Sequence, residues 1–304
     1  MGDGQKLSLR AQASQTFRNY SFSFTEPWLG GKKPVRLSVS LSRTTQFLFD
    51  PISRSSDTDR NFSISGIDVG YAKRLQEPDE YFTFNAGIGF QHYSLNNYNV
   101  GLFRFPNGQS NNLSFQLGLT RDNTFVNPIY PLGGSRFNVS AKFTLPYSLF
   151  NDVDYEQLAR DREVALEEQD NAALADIDQQ RFNWLEFYKV KFSGEWFNKI
   201  WDKLVLRTKI EYGFLGAYNL DRGVPPFERF FLGGDGLGGF TLDGREVIQL
   251  RGYPNQSVMP RSRGNASQSS FNDGATIYNK YIKELRYPIT LKPSATIYAL
   301  SFLE

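Results

Sequence analysis

The 304-residue chain has no cysteine and only one histidine. Without cysteine it can form neither a disulfide framework nor a Cys-ligated zinc or iron–sulfur site. Its 34 basic and 32 acidic residues leave a net charge of +2, which gives no electrostatic reason to expect nucleic acid as a partner. The sequence has no run of about eighteen apolar residues, which excludes a membrane-spanning helix.

The first ten residues, MGDGQKLSLR, lack the apolar core of a signal peptide. Lys6 also breaks the pattern required for N-myristoylation. This start is expected for a protein that stays inside the cell, or for one whose true N-terminus is missing.

Aromatic side chains are abundant although the chain is polar on average. The sequence has 27 Phe and 16 Tyr, while its mean hydropathy is -0.45. A membrane β-barrel has this mixture because its strands alternate apolar residues toward lipid with polar residues toward the lumen. A secreted β-sandwich could produce it too.

Two-residue alternation recurs along the chain and predicts strands with one apolar and one polar face. It is clear in VRLSVSLS (35–42), FNVSAKFTL (137–145) and LVLRTKIEYGF (204–214). Several such segments reach the roughly ten residues that a tilted strand needs to cross a bilayer. We predict about eleven strands, near residues 5–13, 16–27, 34–46, 62–74, 81–94, 111–121, 135–146, 182–197, 203–217, 278–289 and 294–304.

The lengths of the connections favour a barrel over a sandwich. Long connections at 47–61, 95–110, 147–181 and 218–277 alternate with shorter ones. An up-and-down barrel sorts its loops in this way, with tight turns at one end and long loops at the other. Within one long loop, residues 154–181 have helical spacing and many acids, which predicts a short helical insertion with a solvated acidic face. No metal site is predicted there, since the carboxylates lack EF-hand spacing.

Motifs for nucleotide binding and catalysis are weak. Gly234, Gly236 and Gly239 satisfy G-x-G-x-x-G, but no helix pattern or βαβ context follows them. His92 alone cannot build the usual zinc set, and no G-x-S-x-G nucleophile motif is present. The sequence therefore predicts neither an enzyme nor a cofactor.

Arg251, in LRGY (250–253), is the most distinctive charged residue of the 218–277 connection. Loops this long are usually functional or disordered. One interpretation is a solvated arginine in a mobile outer loop. The other folds the loop back into the lumen, where the guanidinium would need a carboxylate, and Glu284 and Glu304 are candidates.

Four stretches resemble the BamA family of outer-membrane assembly factors and its two-partner-secretion relatives. Their sequences are most similar to the Bacteroidetes branch of the family. RFFLGGDGLGGF (229–240) with QLRGY (249–253) resembles the family's loop with its Val-Arg-Gly-Phe tip; Leu250 and Tyr253 depart from it conservatively. The others are SFSFTEPWLGGKKP (21–34), LTRDNTFVNPIYPLGGSRF (119–137) and KELRYPITLKPSATIYALSFLE (283–304). Together they cover nearly the whole chain in the family's order.

The resemblance implies a fold and a site. The fold is an all-β, antiparallel up-and-down transmembrane β-barrel, of which this chain would hold about eleven of roughly sixteen strands. Arg251 would dock in the lumen against Glu284 and Glu304, Gly252 would permit the tight tip, and Tyr253 would pack on the wall. The loop would turn at hinge glycines, namely Gly233, Gly234, Gly238 and Gly239.

By the family's pattern, residues 1–304 form one partial outer-membrane barrel domain of the bacterial surface antigen type, without POTRA domains. The chain would begin near the third strand and stop at the thirteenth, so we expect it to be a fragment of a longer gene product.

The function implied by the resemblance is assembly of β-barrel proteins in the bacterial outer membrane. Partners would be outer-membrane lipids and nascent β-barrel clients and, in the intact protein, POTRA domains and Bam lipoproteins. The alternatives are a barrel that secretes a polypeptide through its lumen and, from another class, a passive porin or a barrel phospholipase.

Overall fold

The computed structural model of the chain describes residues 4–31, 35–50, 52, 54–98, 105–124, 129–234, 246–255, 257–258, 274–292 and 294–304. Within them, two helices are α1 (Tyr155–Glu167) and α2 (Asn171–Phe182). The strands are β1 (Lys6–Ala13), β2 (Phe17–Glu26), β3 (Val35–Asp50), β4 (Ser55–Arg74), β5 (Phe82–Asn96), β6 (Gly108–Asp122), β7 (Gly134–Thr144), β8 (Tyr188–Trp201), β9 (Leu204–Gly216), β10 (Phe230–Leu232), β11 (Glu246–Ile248), β12 (Ile277–Lys292) and β13 (Ala295–Leu303).

Eleven of these strands form one antiparallel sheet in the order β1-β2-β3-β4-β5-β6-β7-β8-β9-β12-β13. Each strand pairs with its neighbour in the chain, except that β10 and β11 form a separate parallel pair between β9 and β12. Within the described residues β1 pairs only with β2 and β13 only with β12, so the sheet is open. The predicted incomplete up-and-down barrel wall of eleven strands is confirmed.

The first predicted long connection is wrong. Residues 47–61 were expected to form a loop, but β3 continues to Asp50 and β4 begins at Ser55. A bulge displaces the pairing from Phe47↔Asn61 to Leu48↔Asp57. Residues 53–61, SRSSDTDRN, are all polar, so no alternation of apolar and polar residues marks the start of β4.

The predicted helical insertion is confirmed, but it consists of two helices instead of one. Asp154 caps α1 and Asp170 caps α2, each with its carboxylate accepting backbone N–H groups. Gln169 separates the helices with a φ of 58°, a left-handed conformation that ends α1. Since α2 extends to Phe182, β8 begins at Tyr188, six residues later than expected. No helix in the described ranges is long and apolar enough to cross a membrane.

The inward and outward faces of the strands follow the predicted alternation, as β12 shows. Its inward side chains are buried, with Tyr278, Lys280, Ile282 and Glu284 below 10% exposure. Its outward side chains are apolar and exposed, among them Tyr281, Leu285, Tyr287 and Ile289. Exposed apolar residues arranged in this way are suited to lipid.

The largest hydrophobic cluster lies at the end of the sheet that carries the long connections, and we call it the aromatic roof. Strands β4, β5, β9 and β12 contribute to it, together with the helical insertion and the loop between β9 and β12. Its buried members are Phe62, Tyr93, Leu95, Tyr98, Phe105, Phe182, Leu185, Phe187, Leu215, Phe230, Phe231, Ala275 and Tyr278. The roof thus packs side chains from well-separated strands across one end of the lumen.

Candidate functional site: the inward loop

In the connection between β9 and β12, the described residues 217–234, 246–255, 257–258 and 274–276 fold back along the inner face of the sheet, and we call them the inward loop. Its two short strands, β10 and β11, pair in parallel, and we call the segments that contain them its first and second arms. A backbone bridge from Phe230 to Ala275 closes its base. We call residues 222–232 and 246–248 its root and residues 250–255 its tip.

At the tip, Arg251 contacts the two carboxylates that were its candidate partners. Its Nη2 lies 2.9 Å from Glu284 Oε1, and its Nε lies 2.5 Å from Glu304 Oε2. Its guanidinium carbon also lies 3.8 Å from the centre of the Phe302 ring. The structure therefore brings Arg251, Glu284 and Glu304 together on the inner face of β12 and β13.

Glu284 is shared by further arginines that the sequence analysis did not select. Arg207 on β9 lies 2.9 Å from Glu284 Oε2, and Arg286 on β12 lies 2.6 Å from the same atom. Lys280 similarly lies 2.6 Å from Glu304. The inward alternation of β9 and β12 placed all three cations in the lumen, but no sequence signal paired them with these acids.

Gly252 and Tyr253 shape the tip. Gly252 has a φ of 83°, a conformation that side chains rarely adopt. The carbonyl of Tyr253 accepts a hydrogen bond from Gly234 N–H at 3.0 Å, which joins the tip to the first arm. Half of the Tyr253 side chain is exposed, so the packing of its ring on the wall stays a prediction.

Of the four glycines expected to act as hinges, Gly238 and Gly239 lie outside the described residues. Gly233 and Gly234 have φ values of 113° and 102° and lie where the two arms meet. Gly233 N–H donates to the carbonyl of Ile248, and Leu250 N–H donates to that of Gly234. A Cβ at Gly234 would lie 1.9 Å from the side-chain oxygen of Asn255. These two glycines therefore permit close approach of the two arms.

A smaller cluster supports the opposite end of the wall. Tyr130, in the turn between β6 and β7, is fully buried and packs with Phe197, Val205 and Tyr298. Its hydroxyl lies 2.8 Å from the carbonyl oxygen of Arg286, to which it can donate a hydrogen bond. The turn thus supports the strand that carries Glu284. Nothing in the sequence beyond an aromatic residue in a Pro- and Gly-rich turn marked Tyr130.

Residues 1–302 match the Omp85 superfamily domain. The chain belongs to the Omp85 superfamily. This Omp85 chain is 23% identical over 276 residues to the outer membrane protein assembly factor BamA of Neisseria meningitidis serogroup B. That alignment covers 86% of this chain and 28% of the relative.

The fold of this Omp85 chain is also found in a crystal structure of BamA from Haemophilus ducreyi lacking POTRA domains 1–3. The two share a TM-score of 0.61 at 17% identity, over 97% of this chain and 50% of that one. The resemblance to the BamA family is confirmed. The chain spans half or less of the length of these relatives, which are outer-membrane proteins.

His92, the single histidine, lies in the wall. Its Nδ1 is 2.8 Å from the side-chain oxygen of Asn111, directly across from it on β6. Among the described residues, no cluster of three or more His, Cys, Asp or Glu could hold a metal ion.

Proposed function

We propose that this Omp85 chain serves in the assembly of β-barrel proteins in the bacterial outer membrane, by helping nascent strands to fold and insert. The observation that carries the proposal is the inward loop, docked through Arg251 on β12 and β13 of a chain that matches the Omp85 domain along nearly its whole length. A loop fixed in this way holds the inner face of the wall in one arrangement.

The physical step would be strand addition. A nascent strand in lipid must satisfy its backbone N–H and C=O groups, each of which costs several kcal/mol when unpaired. Pairing with an open edge of a barrel satisfies them without exposing them to lipid. We therefore propose that no bond is broken and no cofactor is used, and that this chain supplies wall and loop.

The partners follow from the same proposal. The exposed apolar outward faces of the strands would contact outer-membrane lipids. Nascent β-barrel proteins would be the clients, while POTRA domains and Bam lipoproteins would deliver them in the intact protein. The POTRA domains and Bam lipoproteins are proposed from the resemblance to the BamA family, not from contacts within this chain.

A secreting barrel is the second candidate. There the inward loop would act as a plug that moves aside for a polypeptide, and its polar contacts with the wall suit either role. The aromatic roof argues against a passive porin, because buried aromatic side chains from β4 to β12 pack across one end of the lumen.

The test replaces Arg251 with alanine in cells that depend on this protein, with Arg160→Ala as the matched control. Arg160 makes an exposed pair with Glu156 on α1, and exposed pairs contribute little. We expect Arg251→Ala to reduce the folded, heat-modifiable client barrels in the outer membrane, and the control to leave them unchanged. Normal client levels in Arg251→Ala cells would contradict the proposal. Loss of a secreted polypeptide with normal client barrels would favour the second candidate.

A further inference from the structure

A second set of ion pairs holds the inward loop at its root, on a different part of the wall. Lys189, on β8, is 5% exposed, and its Nζ lies 3.3 Å from Glu228 Oε2 and 2.5 Å from Glu246 Oε2. Its Nζ also donates to the main-chain carbonyl of Glu228 at 2.7 Å. Glu228 precedes β10 and Glu246 begins β11, so one ammonium group contacts both arms of the loop.

Two flanking lysines complete the arrangement. Lys142 on β7 lies 2.7 Å from Glu228 Oε1, and Lys191 on β8 lies 2.9 Å from Glu246 Oε1. Both oxygens of each carboxylate therefore face an ammonium group. We call these five residues, Lys142, Lys189, Lys191, Glu228 and Glu246, the lysine clamp.

Aromatic rings cover two of the three lysines of the lysine clamp. Lys189 Nζ lies 4.6 Å from the centre of the Phe230 ring, and Lys142 Nζ lies 5.2 Å from that of Phe187. Both rings belong to the aromatic roof and are fully buried. Ammonium groups over ring faces gain cation–π attraction, which is stronger when water is excluded.

The lysine clamp and the tip share no residue, and their central cations differ in exposure. The side chain of Lys189 is 5% exposed, whereas that of Arg251 is 37% exposed. Around them, Glu228 is 9% and Glu246 29% exposed in the clamp, and Glu284 and Glu304 are each 3% exposed at the tip. Removing one partner from a buried pair leaves an uncompensated charge, which is strongly unfavourable. When the partly exposed Arg251 leaves, it regains water. Glu284 keeps Arg207 and Arg286 as partners and Glu304 keeps Lys280, so the release of Arg251 costs less.

We propose that the lysine clamp is a separate anchor, which keeps the root of the inward loop in the lumen when Arg251 leaves Glu284 and Glu304. The tip then exchanges between a docked and a released state while the root stays on β7 and β8. In this arrangement the tip is the moving part of the loop and the root is its fixed base. The inference rests on the proposed function, because a movable tip can regulate barrel assembly only if the chain takes part in it.

Hydrogen exchange measured by mass spectrometry on the protein in outer-membrane vesicles separates the two anchors. One peptide covers β10 and another covers the tip. We expect Lys189→Met to raise exchange in the β10 peptide about tenfold or more, while the tip retains most of its protection. We expect Arg251→Gln to have the reverse effect, with fast exchange at the tip and a protected β10.

Lys199→Met is the matched control, because Lys199 is an exposed lysine on the inward-facing side of the same strand, and it should change neither peptide. If Lys189→Met does not fold, Glu246→Gln takes its place in the comparison, because it removes from the loop side the ion pairs of Glu246 with Lys189 and Lys191. The proposal is overturned if either variant releases root and tip together, or if neither Lys189→Met nor Glu246→Gln changes β10.

Client assembly, measured in the same cells, keeps this inference distinct from the proposed function. If root and tip are released separately and client barrels are unaffected, the two separate anchors are supported and the proposed function in barrel assembly is contradicted. Joint release with reduced client barrels would retain the assembly role and overturn the separate anchor.

Discussion

The inner face of the sheet differs between its two halves. On strands β3 to β7 it carries mostly small side chains, among them Ser38, Ser40, Gly70, Gly87, Gly118 and Ser140, with the charged Arg36, Asp68 and Lys142 between them. These residues and the lysine clamp border a cavity of about 520 Å³. On strands β8, β9 and β12 it carries charged side chains, most of them in ion pairs, among them Lys189, Glu195, Arg207, Lys280 and Glu284. The inward loop makes most of its ion pairs with the charged half.

This difference shows that one strand pattern serves two purposes. Polar residues alternate with apolar ones in both halves, so both present an apolar face to lipid. Small side chains in one half leave space in the lumen, while charged side chains in the other fix a loop, since buried charges are stable only when paired. The contrast can be tested by substitutions on each half, which should differ strongly in cost.

The largest effect is expected for Glu284→Gln in the charged half. Glu284 is 3% exposed and accepts hydrogen bonds from Arg207, Arg251 and Arg286. Breaking a buried pair costs about 3–5 kcal/mol, and urea unfolding in lipid vesicles measures the change in the free energy of unfolding. Glu80→Gln, in an exposed pair with Arg74, is the control. A cost for Glu284→Gln no larger than that of the control would remove the contrast.

Lowering the pH is expected to reduce the free energy of unfolding by a smaller amount. Burial raises the pKa of Glu228, but the ammonium groups of Lys142 and Lys189 outweigh it and hold its pKa below the usual 4.5. For Glu246 burial likewise raises the pKa, and Lys189 and Lys191 hold it below the same value. The ionised carboxylates therefore stabilise the fold above pH 4.5, and this stabilisation is lost as the pH falls through the lowered pKa values.

Hydrogen bonds to charged groups contribute about 1.5–3 kcal/mol, so the free energy of unfolding should drop by about that amount on acidification. The double variant Glu228→Gln, Glu246→Gln separates this loss from the titration of other acids. Its free energy of unfolding should depend less on pH below 4.5. An identical pH dependence in the variant and the parent would contradict the prediction.

Tyr130→Phe should cost about 1 kcal/mol, because it removes one buried hydrogen bond and keeps the ring. The change deprives the carbonyl of Arg286 of its hydroxyl donor at the base of the charged half. The same unfolding measurement applies, with the exposed Tyr20→Phe on β2 as the control. Equal costs for the two variants would show that the hydrogen bond from Tyr130 does not stabilise β12.

The smallest effect is expected in the half with small side chains. Ser40 borders the cavity from β3, and Ser40→Ala removes only a hydroxyl group from a partly exposed position. Substitutions of this kind usually stay within about 0.5 kcal/mol. If Ser40→Ala lowers the free energy of unfolding by more than Tyr130→Phe does, the contrast between the two halves is contradicted.

The two-residue alternation was enough to predict the strands of the sheet, but not which side chains of the inward loop contact them. The alternation gave the number and order of the eleven strands of the sheet, since the contrast between lipid and lumen acts on every spanning residue. It failed at 47–61, because residues 53–61 are all polar and show no alternation. It also could not separate β8 from the last turn of α2, because apolar residues occur at the helix end and the strand start alike.

The candidate site shows a different limit. The long connection singled out Arg251 with Glu284 and Glu304 as candidate partners, and the resemblance implied that they dock; the structure brings the three together. The lysine clamp was missed because Lys189 and Lys191 look like ordinary lumen-facing residues of β8. Their carboxylate partners lie 39 and 55 residues away in the chain. Only the path of the loop decides which charges meet, and local sequence does not encode that path.

The most direct test of the docked loop is a double-mutant cycle between Arg251→Gln and Glu304→Gln. The two side chains contact each other across 53 positions of the chain, and their substitutions can be compared by urea unfolding in lipid vesicles. Residues in contact show coupling energies of about 0.5–3 kcal/mol, and we expect about 1 kcal/mol or more for this pair. Additive costs, within about 0.3–0.5 kcal/mol, would mean that Arg251 is not bound to the wall and would contradict the docked loop.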